Sequence, residues 1–165
     1  MENINEYDKR NPASIEAYAR KLIGKTFRQV CDEDEGTFVI NTKTGVDYGT
    51  VEVSQVKRNK GNLGQLIEEK FFHYLCNSDS RPDFSEAGVE LKVTPYKRNK
   101  NGTLSAKERL ILTMIDYFSV VNEKFEESHL WNKSRLILLI YYLYQQDIKQ
   151  NLDYKIFEPL VEFFS

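Results

Sequence analysis

The stretch "RPDFSEAGVELKVTP", residues 81–95, combines the alternation of a β-strand with charged residues that a buried strand seldom carries. Within "GVELKVTP", Val89, Leu91 and Val93 alternate with polar residues that include Glu90 and Lys92. A period of two places the apolar residues on one face of a strand and the charged residues on the other. The stretch therefore predicts a strand with one face in the core and a second face that meets solvent or carries chemistry.

Asp83 precedes this strand by one short turn, and the turn contains Gly88. A glycine allows the chain to bend back, which would place Asp83 beside Glu90. Two adjacent carboxylates repel each other, and a hard divalent cation such as Mg²⁺ relieves the repulsion while keeping water ligands for a phosphate. Lys92 would lie on the same face, where it can position a water or offset charge on a phosphate. The pattern favours a phosphodiesterase site; the alternative is an edge strand whose Glu90 and Lys92 are solvated.

The segment "NLGQLIEEKFFHYL", residues 62–75, has apolar residues at helical spacing. At ~100° per residue, Gln65, Glu69 and His73 fall on the side opposite the apolar stripe. Glu68 departs from them, because it projects between apolar residues of the last turn and its i−4 neighbour is Gly64. Its carboxylate is predicted to lie against the protein body; the alternative is a boundary residue that reaches water. The stripe consists of Leu63, Leu66, Ile67, Phe71 and Tyr74.

Composition limits the class of protein. The chain has 165 residues, of which 41% are hydrophobic and 13% aromatic, as expected for one globular domain with a packed core. Cys31 and Cys76 lie far apart and neither belongs to a CxxC pair, which predicts reduced thiols and no zinc site. The longest apolar run, "LILLIYYLY", is well short of the ~18 residues that a membrane helix needs. We therefore expect a soluble cytoplasmic protein, whose net charge of −2 leaves nucleic-acid binding to local basic patches.

Several other segments have the pattern of regular structure. "NPASIEAYARKLIGKTF", with Ser14 as its cap, predicts an amino-terminal helix. "TFVIN", "GTVEVSQV", "ERLILTMIDYF" and "SRLILLIYYLY" predict strands, although the last two would also fit buried helices. The acidic run in "VCDEDEG" predicts a solvated loop. Together these segments predict an α/β fold with a mixed central sheet flanked by helices, in a single domain over residues 1–165.

Pro82 and Asp83, followed by Glu90-x-Lys92, match the PD-(D/E)xK signature of the restriction-endonuclease-like nuclease superfamily. Three segments in order, "KGNLGQLIE" at 60–68, "PDFSEAGVELKVTP" at 82–95 and "HLWNKSRLILLI" at 129–140, resemble the MutH mismatch-repair nuclease family and the related restriction endonucleases that cut at GATC. "SDS" at 78–80 and "KERLIL" at 107–112 are most similar to the amino-terminal catalytic half of the Sau-type restriction enzyme. The resemblance spans residues 60–140.

This resemblance implies a site and a role for each of its residues. Lys92 would act at the attacking water, and Lys133, in "HLWNK", would lie near the scissile phosphate; the alternative for Lys133 is a solvated lysine entering a strand. The interval from Glu68 to Asp83 is one residue longer than in the mismatch-repair enzyme. His129 is expected to be structural or to lie at the rim. The implied catalytic residues are Glu68, Asp83, Glu90, Lys92 and Lys133. The implied metal ligands are Asp83, Glu90, Glu68 and the carbonyl oxygen of Leu91.

The implied function is a Mg²⁺-dependent endonuclease of double-stranded DNA, the catalytic domain of a restriction enzyme that acts at GATC and leaves a 5′-phosphate and a 3′-hydroxyl. One alternative is a non-catalytic DNA-binding or assembly domain with the same fold; such a copy is expected to lose an acid or the lysine, and all three are present. A paired-carboxylate glycosidase is a weaker alternative, because it gives Lys92 no role.

Two features bear on how DNA would be bound. Basic residues near the two KRNK tetrapeptides are expected to contact phosphates, which position DNA without reading its sequence; the alternative is that they are ordinary surface residues. "DYKIFEPLVEFFS" predicts a short helix that starts near Pro159. Because few base-reading residues follow Lys133, we expect a fragment of a longer enzyme that lacks a carboxyl-terminal DNA-binding half. The expected DNA-binding residues are Lys57, Arg58, Lys60, Lys97, Arg98 and Lys100.

Overall fold

The computed structural model describes residues 7–33, 41–42, 45–46, 61–74, 81–115 and 117–163. Its α-helices are α1 (Pro12–Ala19), α2 (Phe27–Glu33), α3 (Gly61–Leu66), α4 (Tyr117–Val120) and α5 (His129–Ser134). Its strands are β1 (Asn41–Thr42), β2 (Gly45–Val46), β3 (Glu90–Arg98), β4 (Leu104–Ala106), β5 (Leu136–Leu143) and β6 (Ile156–Phe163). Short 3-10 turns occupy Arg20–Leu22, Phe125–Glu127 and Asn151–Asp153, and a π-helical turn occupies Ile67–Phe71.

The main sheet has four strands in the order β4-β3-β5-β6. β3 pairs with β5 in parallel, with Glu90 opposite Ile137, whereas the β3–β4 and β5–β6 pairs are antiparallel. β1 and β2 form a separate two-stranded sheet. The mixed α/β fold expected from the sequence, a central sheet flanked by helices, is confirmed.

The two faces of the sheet have different roles. Leu91, Leu138 and Ile140 belong to a buried cluster that also contains apolar residues of α1, α2 and α3. Strand alternation and the observed register place Glu90 and Lys92 on the other face. The alternation predicted for residues 89–94 is therefore confirmed, but the second face is not simply solvated at its start, because Glu90 is only 3% exposed.

An aromatic cluster anchors the chain just before β3. The ring of Phe84 lies 5.0 Å from that of Phe72 and 5.3 Å from that of Tyr74, both edge-on, and Tyr7 packs against the same group. Edge-to-face contacts at these distances are favourable beyond the area they bury. Phe84 directly follows Asp83 and is the first residue of the turn that leads to Glu90. Its packing therefore holds the start of that turn in place.

The amino-terminal helix is present, but Ser14 is not its cap. Asn11 occupies the N-cap and its side chain accepts a hydrogen bond from the Ala13 N–H at 3.0 Å, with Pro12 as the first helical residue. Ser14 Oγ accepts from the Asp8 N–H instead. The predicted helix is also divided, because a left-handed Gly24 at φ +82° separates it from α2.

The helix predicted over residues 62–75 is an α-helical turn followed by a π-helical one. Leu63, Leu66, Ile67 and Phe71 are buried as the predicted stripe requires, although Lys70 and Phe72 are buried as well. A π turn holds more residues than an α turn, so the assumed ~100° per residue fails after Leu66. The helical structure ends at Phe71, and His73 follows with φ +55°.

One of the two predicted downstream strands is confirmed and the other is wrong. "SRLILLIYYLY" contains β5, whereas "ERLILTMIDYF" forms no strand among its described residues. Ile111 is 74% exposed and Met114 is 86% exposed, so the apolar pattern of this segment does not correspond to burial. The outer side of β3 pairs with Leu104–Ala106 of β4 instead.

The predicted carboxyl-terminal helix is also wrong. Ile156–Phe163 is strand β6, paired antiparallel with β5, and Pro159 lies opposite Ile140. β6 is at the edge of the sheet, a position in which a proline is tolerated. The interrupted helix from which a missing carboxyl-terminal half was inferred does not exist.

Other predictions lie partly or wholly outside the described residues. These are most of "TFVIN", all of "GTVEVSQV" and "SDS", and the basic residues Lys57, Arg58 and Lys60. Of the acidic run, Asp32 and Glu33 end helix α2 and are exposed, so these two are not in a loop. No helix among the described residues is long and apolar enough to cross a membrane.

Candidate active site

A tight turn at residues 84–89 sets the spacing of the two acids. The backbone N–H of Phe84 donates to the carbonyl of Val89 at 2.9 Å, and the reverse bond is 3.2 Å long. Gly88 adopts φ +69°, a conformation that favours glycine. Asp83 and Glu90 flank this closed turn, so the predicted role of Gly88 in bringing the acids together is confirmed.

Asp83 is held in place by the backbone of β3. Its Oδ2 accepts a hydrogen bond from the Leu91 N–H at 2.7 Å. The pKa of Asp83 is raised to about 6, mainly by burial and next by the negative charge of Glu90. The hydrogen bond from the Leu91 N–H and the positive charges of Lys133 and Lys92 lower that pKa. The negative charge of Glu90 is thus close enough to oppose the ionisation of Asp83.

Glu90 is the most buried acid of the site. Its Oε1 accepts a hydrogen bond from Lys92 Nζ at 2.9 Å and lies 3.6 Å from Lys133 Nζ. Its Oε2 is buried and has no hydrogen-bond partner among the described residues. A buried carboxylate oxygen without a donor is costly, so this atom marks a position where a further ligand would be favourable.

Lys133 comes to the site from a helix that the sequence did not predict. Ser128 caps α5 by accepting from the Trp131 N–H at 3.1 Å, and Lys133 lies in the last turn of that helix. Its side chain is 17% exposed and is directed at Glu90, so the interpretation as a solvated lysine entering a strand is wrong. The site therefore brings together two carboxylates and two ammonium groups from three segments.

Residues 72–162 match the family described as "DNA mismatch repair enzyme MutH", and this span is more than half of the 165-residue chain. The chain belongs to the MutH family. The type II restriction enzyme Sau3AI of Staphylococcus aureus is 47% identical over 89 residues, which are 54% of this chain and 18% of that enzyme. The DNA mismatch repair protein MutH of Shewanella woodyi is 40% identical over 52 residues, which are 32% of this chain and 22% of that protein.

The family match includes four of the five expected catalytic residues, Asp83, Glu90, Lys92 and Lys133. These are the four whose charges the fold brings together. Agreement between the match and the geometry makes this cluster the candidate active site of the MutH-family domain. The matched regions cover only 18% and 22% of the two relatives, so the chain corresponds to a small part of each.

Glu68 precedes the matched region and lies in the π-helical turn. Its side chain is partly buried, and Glu69 on the next position accepts a hydrogen bond from Gln65 at 2.8 Å, consistent with the predicted shared side of Gln65 and Glu69. Within the described ranges, no group of three or more histidine, cysteine, aspartate or glutamate residues is arranged to hold a metal ion. The assignment of Glu68 to the site stays a prediction.

The described basic residues expected to bind DNA lie at the far end of β3. Lys97, Arg98 and Lys100 are exposed. Lys97 is seven positions after Glu90 on the strand, which corresponds to roughly 23 Å at ~3.3 Å per residue. These residues are not part of the acid and lysine cluster, and their contact with DNA stays a prediction.

One residue beside the turn at 84–89 was not assigned from the sequence. The guanidinium of Arg135 lies against Gly88, because a Cβ placed on that glycine would be 2.7 Å from Arg135 Nη2. His129 Nε2 lies 3.3 Å from Thr113 Oγ1, which fits its expected structural or rim position. Nothing in the sequence spacing indicates the Arg135 contact, since the fold alone brings the α5–β5 junction to the turn.

Proposed function

We propose that this domain hydrolyses phosphodiester bonds of double-stranded DNA with the help of a divalent cation, preferably Mg²⁺. The observation that carries the proposal is the cluster of Asp83, Glu90, Lys92 and Lys133 at the start of β3, inside the segment that matches the MutH family. Sau3AI is described as a restriction enzyme and its mismatch-repair relative as a DNA repair protein, which supports DNA as the substrate.

The donor atoms of the site fit a hard cation. Asp83 and Glu90 crowd each other, and Glu90 Oε2 has no hydrogen-bond donor among the described residues. The N–H and C=O of a strand residue point to the same side, so the carbonyl of Leu91 points to the side where its N–H meets Asp83. Oxygen ligands of this kind suit Mg²⁺. We propose Asp83, Glu90 and the Leu91 carbonyl as ligands, with Glu68 as a fourth.

Each side chain would have a distinct task in the reaction. The bound cation would supply positive charge at the phosphate and acidify a water. Asp83 and Glu90 would hold the cation, which offsets their mutual repulsion. Lys92 is hydrogen-bonded to Glu90 and would orient the attacking water, while Lys133 would stabilise negative charge that develops on the phosphate oxygens. Both lysines are mostly buried, which strengthens their electrostatic effect.

We further propose that the domain acts within a restriction enzyme at GATC sites and yields a 5′-phosphate and a 3′-hydroxyl. The 47% identity to Sau3AI supports the restriction role. Because the matched region is 18% of Sau3AI, groups that read the bases would come from elsewhere in a longer protein. Lys57, Arg58, Lys60, Lys97, Arg98 and Lys100 would add phosphate contacts, which position DNA but do not select its sequence.

The test is cleavage of a supercoiled plasmid by the 165-residue chain, with Mg²⁺ and with a chelator. We expect nicked or linear DNA in Mg²⁺ and none in the chelator. Asp83→Asn and Lys92→Gln should abolish cutting, and Glu127→Gln, on the exposed surface, serves as the matched control and should not. A folded wild type that binds DNA but never cuts it would favour the alternative, a non-catalytic DNA-binding or assembly domain.

A further inference from the structure

The guanidinium of Arg135 packs closely against Gly88, beside the candidate active site. An ideal Cβ on Gly88 would be 2.7 Å from its Nη2 and 3.5 Å from both its Cζ and its Nε. A separation below 3.0 Å requires something to shift, so a side chain at position 88 would have to displace the end of the Arg135 side chain. Because Gly88 has no side chain, the guanidinium can approach the turn closely.

The position of Arg135 places it at the end of the sheet where the site lies. It is the C-cap residue of α5 and directly precedes β5. β3 and β5 are parallel neighbours, so their first residues lie side by side. Lys133 lies 3.6 Å from Glu90. Arg135 comes two residues later, and its guanidinium lies against Gly88 in the turn that joins Asp83 to Glu90. Two cations from one junction therefore lie at the part of the turn that leads into Glu90.

The charge of Arg135 is not used by the acids of the site. Lys133 and Lys92 are the cations that lower the pKa of Asp83. Among the residues that the structure describes, the Arg135 guanidinium has no carboxylate within ion-pair distance, and Arg135 is exposed. A planar guanidinium with free donors is suited to bind a phosphate with two parallel hydrogen bonds.

We propose that Arg135, seated on Gly88, binds a backbone phosphate of DNA next to the scissile one. The inference rests on the proposed nuclease function and adds a substrate-positioning residue to it. The competing interpretation is that Arg135 only packs on the turn and stabilises it. The two differ in one measurable respect, because a phosphate contact releases counterions and contributes to the salt dependence of binding, whereas packing does not.

The experiment measures duplex binding by the full chain in chelator, where no cutting is expected, between 50 and 200 mM salt. Removing one phosphate contact reduces the slope of log K against log salt by ~0.9. We expect this reduction for Arg135→Gln and unchanged slopes for Arg20→Gln, whose partner Glu16 lies on α1. Arg135→Lys should retain most of the slope but bind more weakly, because the planar fork is lost.

Gly88→Ala gives a second, independent perturbation of the same contact. It should displace the guanidinium and reproduce the slope reduction, and combining it with Arg135→Gln should add no further reduction. Gly24→Ala is the matched control, because Gly24 also has a positive φ, +82°, but nothing lies within 4 Å of its added Cβ. The control should bind as the wild type does even if its melting temperature falls.

The outcomes separate this inference from the proposed function. If the wild type cuts DNA and Arg135→Gln keeps the full salt slope, the phosphate contact is wrong while the nuclease function stands. A lower melting temperature for Arg135→Gln with an unchanged slope would assign the residue to turn packing alone. If the folded wild type neither binds nor cuts DNA, the proposed function fails and this inference fails with it.

Discussion

Lys133 Nζ lies 3.6 Å from Glu90 Oε1, although the two residues belong to different elements, the last turn of α5 and the first position of β3. The contact connects the capped helix to the strand that carries both Glu90 and Lys92. Because the Lys133 side chain is only 17% exposed, its charge is poorly screened by water. In the proposed reaction, the helix would hold the Lys133 ammonium where negative charge develops on the phosphate.

The first prediction concerns this lysine. Lys133→Gln removes the charge but preserves much of the side-chain volume, and we expect Mg²⁺-dependent cleavage to fall by roughly 10²–10³-fold, the usual cost of losing one such electrostatic contact. Single-turnover cleavage of a plasmid measures the loss. Lys124→Gln, on an exposed surface pair with Glu127, is the control. Rates for Lys133→Gln within threefold of the wild type would exclude Lys133 from the reaction.

The second prediction concerns the pH dependence of stability without metal. The pKa of Asp83 is raised in the folded protein to about 6. Between pH 4 and 6 the folded state then holds a proton that the unfolded state has lost, so stability decreases as the pH rises through this window. Asp83→Asn removes the effect, keeps the acceptor for the Leu91 N–H, and should stabilise the apo protein at pH 7 by at most about 3 kcal/mol.

Urea unfolding of wild type and Asp83→Asn at pH 4 and pH 7, in chelator, measures this difference. The two proteins should have nearly equal free energies of unfolding at the lower pH and diverge at the higher one. A variant that is less stable than the wild type at pH 7 would show that Asp83 is a structural ion-pair partner.

The third prediction is that the two acids differ in their effect on stability. Glu90 neutralises two lysines whose side chains are only 23% and 17% exposed. Glu90→Gln leaves these cations without a counter-charge, and we expect it to destabilise the protein by about 1–3 kcal/mol. Thermal melts in chelator at pH 7 should rank Asp83→Asn above the wild type and Glu90→Gln below it. An equal rise for both variants would mean that repulsion between the acids outweighs the lysine contacts.

The local pattern of apolar and polar residues predicts an element correctly where its apolar residues are the ones that become buried. Strand β3 was predicted from its period of two, and its acids and lysine come together because one short turn and one strand place them. The segment "ERLILTMIDYF" has the same apolar richness, but most of its described large apolar residues are exposed, with Phe118 at 92%. An apolar run indicates burial only if a partner surface is available. The outer edge of β3 pairs with β4, so it does not provide such a surface for this segment.

Contacts made by distant segments were beyond the sequence pattern. Pro159 indicated the first turn of a helix, but it equally suits an edge strand, and only pairing with β5 decides between them. The contact between Arg135 and Gly88 depends on how α5 packs against the turn. The spacing of residues in the sequence does not predict that packing. Lys133 was identified through resemblance to the family, while its helix was not, because six residues are too few to show a period.

The fourth prediction separates the two neighbouring glutamates of the π-helical turn. Glu69 is already engaged with Gln65, whereas Glu68 is the proposed further ligand. Glu68→Gln should reduce Mg²⁺-dependent cleavage strongly, and Glu69→Gln should leave it nearly unchanged while slightly lowering the melting temperature. Plasmid cleavage over a range of Mg²⁺ concentrations compares them. Equal activities would remove Glu68 from the site, and a loss confined to Glu69→Gln would mean that the two side chains have exchanged roles.

The last prediction uses the distance between the acids and the basic end of β3. Lys97 lies roughly 23 Å from Glu90 along β3, which corresponds to about seven base pairs at ~3.4 Å each, and Arg98 and Lys100 follow it in the chain. If DNA lies along the strand, changing all three to glutamine should weaken binding of a ~20-base-pair duplex and leave a centred ~8-base-pair duplex unaffected. Fluorescence anisotropy with both duplexes in chelator measures this, with Lys149→Gln as a single-charge surface control. A similar loss on both duplexes would mean that DNA crosses the strand instead, and no loss on either would make these three residues ordinary surface charges.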